Sequence, residues 1–379
     1  MSKAVLVDGR LVQTLADGTK VRLTIDPELQ QTADRLLKQH AFPYASVVVL
    51  SVKTGHILAL SGASTADPGL SAERLATQAW APAASVFKLV TAAALVERNK
   101  ARPMSQVCYH GGERRLAAEN LVDDPIKDKT CHTLADAIAL SLNPVIAKLA
   151  RKHLSREELL ETANRFGFNL RIDTDLVLDQ STADIPRDDL ARARVAAGFW
   201  HTNLSPLHGA LLAQAFASEG VMLRPRLVDQ ATGPTGKAVP LPEAWKQNVV
   251  GAYTAKLIGR MMVATTTVGT ARDGFFDRRG QAYLPDLRVA GKTGSLSRPS
   301  PPLDYNWFVG FAPYERPQVA FAVLLGNPVK WRTKPTTLAM HLLRAALARK
   351  VLPAEVAAPV DPEAPPRRRR SRPASEAEP

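Results

Sequence analysis

The sequence predicts an α+β fold: an antiparallel sheet built from N- and C-terminal segments, flanked by helices, with an all-helical subdomain between them. Three observations predict it. Short apolar runs broken by Gly-containing turns fill residues 4–60, and similar runs return after Leu284. Between residue 86 and about residue 220, apolar residues recur at helical spacing instead. With 379 residues, 45% hydrophobic and 22% charged, the chain can bury a large core and is excluded from the disordered classes. No internal repeat is visible.

Residues 4–24 read as extended segments turned at Asp8-Gly9 and Asp17-Gly18, where Gly supplies the positive φ of a tight hairpin. Residues 1–22 are therefore expected as a β-hairpin lead-in. Asp26-Pro27 opens a helix, with Asp as N-cap and Pro at the first helical position; Leu29, Ala33, Leu36 and Leu37 form its buried stripe. Ala45–Ser51 and His56–Leu60 flank Lys53-Thr54-Gly55 as a second hairpin. Val86–Val96 is apolar nearly throughout and is expected to be buried on all sides. Helices follow at 133–140, 145–153, 156–166 and 206–218, the last two ended by Gly167 and Gly220. Strands return at 287–291, 306–312 and 318–325, and an amphipathic helix over about 335–350 closes the body. From Pro353 to Pro379 the Pro, Ala, Glu and Arg composition predicts a disordered tail.

The formal net charge is +13. Residues 353–379 do not supply it, because their five Arg face five Asp or Glu. A basic body suits anionic polymers such as cell-wall glycan, lipid head groups or nucleic acid, although no basic motif interleaved with aromatics points to nucleic acid. No apolar run nears the roughly 18 residues of a membrane span. Met1–Asp8 reaches an acidic residue before a signal-peptide core forms, so neither export signal nor anchor is expected within these residues. Cys108 and Cys131 leave three readings open: a disulfide, two free thiols, or a zinc site with His110 and His132. The ligand spacing is poor for zinc, and a disulfide, the preferred reading, implies an oxidising compartment.

Chemistry concentrates in three short motifs: Ser85-Val-Phe-Lys88, Ser141-Leu-Asn143 and Lys292-Thr293-Gly294. Ser85 and Lys88 stand one helical turn apart on one face, with Ser85 at the start of the helix near its free N–H donors. Phe87, Leu89 and Val90 surround Lys88, and an apolar setting disfavours its charge and lets the amine take a proton from serine. The plain alternative is a snorkelling lysine above a capping serine. Ser141 and Asn143 lie between two helices, where Pro144 forces Asn143 out of the α region and makes it a candidate N-cap. A hydroxyl there can relay a proton, and an amide can hold a peptide carbonyl. Lys292 and Thr293 end the strand over 287–291 and suit a substrate carboxylate. Gly294 would let substrate backbone approach, and the N–H groups of Ser85 and Ser295 would form an oxyanion hole. The other Lys-Thr-Gly, beginning at Lys53, is assigned to a hairpin tip and left out of the site.

In this order and spacing the motifs resemble the transpeptidase domain of a penicillin-binding protein. Leu23–Gln30, Val47–Leu50 with Ile57-Leu-Ala, Ser205-Pro-Leu-His, Val268-Gly-Thr-Ala271 and Trp307–Pro313 are similar to further stretches of that family, so the resemblance covers about residues 21–350. It implies a transpeptidase domain over 23–352. Ser85, Lys88, Ser141, Asn143 and Lys292 would be catalytic, and Thr293, Gly294 and Ser295 substrate-binding. Ser85 would attack D-Ala-D-Ala in peptidoglycan stem peptides, pass the acyl group to a neighbouring amine, and be acylated by β-lactam antibiotics. The resemblance also implies a periplasmic or cell-surface location and contacts with wall-synthesis complex proteins, with no metal or organic cofactor.

Four departures stand out. Ala84 replaces the usual Gly before the nucleophile, Ser295 replaces Thr, and Gly198-Phe-Trp-His201 stands where a Gly-Gln-Gly-like stretch is expected. A glycosyltransferase half and a membrane anchor are not seen. The rivals are a serine β-lactamase, for which Glu157, Glu158 and Glu161 are the candidate deacylating carboxylates, a DD-carboxypeptidase, and a non-catalytic β-lactam or wall sensor. Leu142 and Asn143 speak against the lactamase.

Overall fold

The structure is a computed structural model that describes residues 4–300, 302–328 and 333–348. The tail expected over 353–379 lies outside the described residues, as do residues 349–350, where the closing helix was expected to end. Five antiparallel strands form the central sheet, in the order Ala290–Pro299, Pro302–Ala312, Val319–Asn327, Tyr44–Ser51, Ile57–Ala63. The two ends of the chain meet where Val319 pairs with Ser51 and Gly326 with Tyr44.

Tyr44–Ser51 and Val319–Asn327 are nearly unbroken apolar runs because both faces of the sheet are covered there. Val47, Val49, Val323 and Leu325 enter a core beneath the helices Pro27–Lys38 and Pro335–Ala348. Val48, Leu50, Ala322 and Leu324, one residue out of phase, face the opposite way into the larger core shared with the helices Lys88–Glu97 and Pro206–Ala217. Local signals hold where they were strongest. The Asp26 carboxylate accepts from the N–H groups of Glu28 and Leu29 at 3.1 and 2.8 Å, which caps the first helix.

Three features differ from the sequence reading. The strand carrying Lys292 does not end at Gly291 but runs from Ala290 to Pro299, paired with its neighbour as far as Pro299 opposite Pro302. As the sheet edge it can expose Ser295, Ser297 and Pro299, and that polar alternation looked like a loop. The helix Ala252–Thr267 was not expected. Its C-terminal threonines are weak helix formers, and tertiary contacts compensate: the Glu97 carboxylate accepts the Gly251 N–H at its start, and Thr266 Oγ1 donates to the Val289 carbonyl at 2.6 Å near its end. Finally, the N-terminal strands Val5–Val7, Arg10–Thr14 and Lys20–Leu23 join Val228–Thr232 and Ala238–Val239 in a second five-stranded sheet.

The helical part also carries two short ladders. In one, Gln106–Tyr109 pairs with Thr130–Thr133, Cys108 faces Cys131, and the two sulfurs are bonded as a disulfide. No helix among the described residues is long and apolar enough to cross a membrane.

Candidate active site

Ser85 lies in a single 3-10 turn, Ala84–Phe87, that runs into the α-helix Lys88–Glu97, so it precedes the α-helix by one turn. Ala84 takes the left-handed conformation, φ +49°, at a cost of about 1 kcal/mol for a residue with a Cβ. The surroundings clamp this turn. Trp307 Nε1 donates to the Pro82 carbonyl at 2.8 Å. The Ala83 N–H donates to Thr202 Oγ1 at 3.3 Å. Gly198 crosses so closely that a Cβ there would lie 2.3 Å from the Ala84 carbonyl oxygen and 2.9 Å from Ser85 Cα. The glycine at 198 is therefore required, even though the three residues after it stray from the family pattern.

Lys88 is fully buried. Its Nζ lies 2.7 Å from Ser85 Oγ, 2.6 Å from Asn143 Oδ1 and 2.5 Å from the Ala197 carbonyl oxygen. Burial, reinforced by the nearby Lys292 charge, holds its pKa well below the ordinary lysine range. A neutral amine has two N–H groups and one lone pair. Asn143 and Ala197 can accept the two hydrogens, which leaves the lone pair facing the Ser85 hydroxyl.

Ser141 is left-handed, φ +61°, and its Oγ accepts from Lys292 Nζ at 3.0 Å. Asn143 is not the N-cap; the extended Leu142 takes that place and Asn143 is the first helical residue. Its side chain is thereby free to bridge, with Oδ1 on Lys88 and Nδ2 donating to the Glu113 carbonyl.

Lys292 departs most from expectation. It does not project into the cleft but is fully buried behind it, donating to Ser141 Oγ and, at 2.9 Å, to the Thr293 carbonyl. Burial pulls its pKa down to about 7. What the cleft wall presents is a pair of hydroxyls, Thr293 Oγ1 and Thr270 Oγ1, 2.5 Å apart. The sequence alone gives Thr270 no role beyond its place in the family-like stretch Val268–Ala271. Gly269 carried the signal: a Cβ there would meet the Ala139 carbonyl oxygen at 2.1 Å, and this tight crossing delivers the next residue to the cleft. Gly294 also acts through closeness, but toward the nucleophile turn, where a Cβ would sit 3.3 Å from the Val86 nitrogen. Lys53 is exposed beside Gly55 at φ +72°, a hairpin tip.

The cleft has a volume of about 340 Å³, framed by Ser85, Ser141, Asn143, Thr270, Thr293 and Ser295, with Lys334 at its mouth. The sequence model described as "Penicillin binding protein transpeptidase domain" matches residues 45–347. The chain belongs to the penicillin-binding protein transpeptidase family. Peptidoglycan D,D-transpeptidase PbpA of Mycobacterium tuberculosis is 27% identical over 346 residues, which cover 82% of this chain and 68% of that protein. The penicillin G acyl-enzyme structure of penicillin-binding protein A from M. tuberculosis is 25% identical, with a TM-score of 0.68, over 86% of this chain and 80% of that one. The D,D-transpeptidase domain of a peptidoglycan glycosyltransferase from Eggerthella lenta, 24% identical, shares the fold at a TM-score of 0.71 over 90% of this chain and 96% of that one.

Within this transpeptidase fold the glutamates considered for deacylation are engaged elsewhere. Glu158 Oε2 accepts the Ser155 N–H at 2.8 Å, Glu161 pairs with Arg98 at 2.7 Å, and Glu157 stands 3.6 Å from Arg156. None of the three lines the cleft.

Proposed function

We propose that this penicillin-binding transpeptidase chain cross-links peptidoglycan stem peptides through a Ser85 acyl-enzyme, with residues 23–352 as the catalytic domain. One observation carries the reading: a buried lysine amine, with no ion pair among the described residues, lies 2.7 Å from a serine hydroxyl. Ser85 Oγ adds to the penultimate D-Ala carbonyl as its proton passes to Lys88 Nζ. The N–H groups of Ser85 and Ser295 receive the oxyanion. Thr270 and Thr293 hold the terminal carboxylate in the positive field of Lys292 behind them. Ser141, resupplied by Lys292, protonates the D-Ala amine as the C–N bond breaks. An acceptor amine then attacks the ester and returns its proton through Ser141 to Lys292, while Lys88 reprotonates Ser85 Oγ.

β-Lactams would acylate the same serine, and the disulfide suits action outside the cytoplasm. Intact mass after incubation with benzylpenicillin tests the assignment. The wild type should gain one long-lived penicilloyl group and Ser85→Ala none. An unmodified wild type overturns the mechanism, and rapid loss of the adduct points to a lactamase.

A further inference from the structure

The two hydrogens of neutral Lys88 go to Asn143 Oδ1 and the Ala197 carbonyl, and both of those oxygens lean on one loop, residues 110–117. A side-chain amide has nearly the same shape at its two ends, so it can turn over and present Nδ2 where Oδ1 stood. Turned over, Asn143 would offer N–H groups to the Lys88 lone pair and compete with the Ser85 hydroxyl for it. A partner at the far end of the amide that accepts and cannot donate prevents this. The Glu113 carbonyl is that partner. It takes one Nδ2 hydrogen and leaves the other for the cleft, which Asn143 lines.

Asn120 gives that carbonyl its aim. Gly111 and Gly112, at φ +58° and +82°, make the turn that leads into Glu113. The turn is moulded on the buried Asn120 side chain, since a Cβ at either glycine would lie 3.3 Å from it. Asn120 Nδ2 donates to the His110 carbonyl at 3.0 Å, and its Oδ1 accepts the Ala117 N–H at 2.8 Å, so one amide ties both ends of the loop. Leu116 and Leu121 then pack with Ala147 of the helix Asn143–His153 and with Ala193 and Ala197. Arg194 adds a second tie, donating from Nε and Nη2 to the Leu116 carbonyl at 3.1 and 2.8 Å. The helix that carries Arg194, Asp189–Ala196, ends at Ala197, whose carbonyl is the other acceptor of Lys88.

We propose that Asn120, which does not line the cleft, is a positioning residue for acyl transfer: it shapes the loop so that the Glu113 carbonyl holds Asn143 with Oδ1, not Nδ2, against Lys88. The inference rests on the reading of Lys88 as the base for Ser85. Its consequence is specific. A change at Asn120 reaches the acylation rate only by way of the Asn143 amide.

A double-mutant cycle on benzylpenicillin acylation tests it. The first-order acylation constant is read with labelled penicillin for the wild type, Asn120→Asp, Asn143→Ala and the pair. Asn120→Asp keeps an acceptor for the Ala117 N–H and removes the donor to the His110 carbonyl. It should slow acylation about tenfold, the size of one misdirected hydrogen bond, in a protein that still unfolds in one cooperative thermal transition. In the Asn143→Ala background it should cause no further slowing. Gly112→Ala, which crowds Asn120 from the other side, should repeat the pattern. Equal slowing in both backgrounds marks a structural role and overturns the proposal, and so does an unchanged rate in the folded single variants. Failure of both Asn120→Asp and Gly112→Ala to fold makes the loop part of the core and overturns it as well. A wild type that takes up no penicillin at all condemns the acyl-transfer reading instead.

Discussion

The catalytic cleft and the disulfide-bearing flank each bury a helical lysine, and they use it in opposite ways. In the flank, Lys148 is 5% exposed and meets Asp128, 6% exposed, at 2.7 Å and Asp123 at 2.9 Å, while also donating to the Cys108 carbonyl at 3.0 Å. Burial works against its charge, but the two carboxylates outweigh that and raise its pKa; Asp128 in turn is held far below the carboxylate range by Lys148 and His110. In the cleft, Lys88 is at least as buried and meets only neutral oxygens, so nothing offsets the desolvation and the proton is poorly held. A buried cation with an acid beside it is structure. At position 88, a buried amine without one, set against a serine hydroxyl, is a base.

The largest expected effect separates the two lysines by activity. Lys88→Ala should slow benzylpenicillin acylation about a thousandfold, measured by stopped-flow or labelled penicillin, because the serine loses its proton acceptor. Lys148→Met should act on stability: about 3 kcal/mol lost in urea unfolding, since Asp128 is left buried without its cation, with the acylation rate of the folded protein unchanged. A Lys148 variant that folds normally but acylates slowly would dissolve the distinction.

Reducing the flank's disulfide with Cys108→Ser/Cys131→Ser should lower stability by about 3 kcal/mol, the chain-entropy value for this loop, again without a change in acylation rate.

The pH dependence sharpens the contrast further. Neutral Lys88 is favoured as pH rises through its depressed pKa, whereas Lys292 loses its charge above about 7, so benzylpenicillin acylation should fall on the alkaline side from near pH 7. A flat profile from pH 7 to 9 would show that the buried cation keeps its proton. The stability signs also differ. Lys88 and Lys292 bind protons more weakly folded than unfolded, so their contribution rises with pH toward the unfolded lysine value. That of Lys148 is complete below the unfolded value and is lost as pH climbs through its raised folded pKa. The smallest effect belongs to the other Lys-Thr-Gly: Lys53→Ala should change neither acylation nor stability by more than about 0.5 kcal/mol, because its side chain is exposed.

What the sequence determined by itself was written in strong short-range signals. The Asp26-Pro27 helix start, the Gly55 and Gly167 stops, the apolar strands and the one-turn spacing of Ser85 and Lys88 depend on residues within a few positions of each other, where propensity and periodicity act. It also separated the two Lys-Thr-Gly copies, since one sits inside a hairpin signal. Only the tertiary structure decided what surrounds each charge. The strand of Lys292 continued past Gly291 because pairing with Pro302–Ala312, rather than its own polar residues, sets its length. Thr270 reached the cleft through a crossing against Ala139, and Lys292 withdrew behind Ser141 and Thr293. Desolvation and hydrogen bonding sum over groups brought together from 55 to 151 residues apart, and no local pattern records that sum.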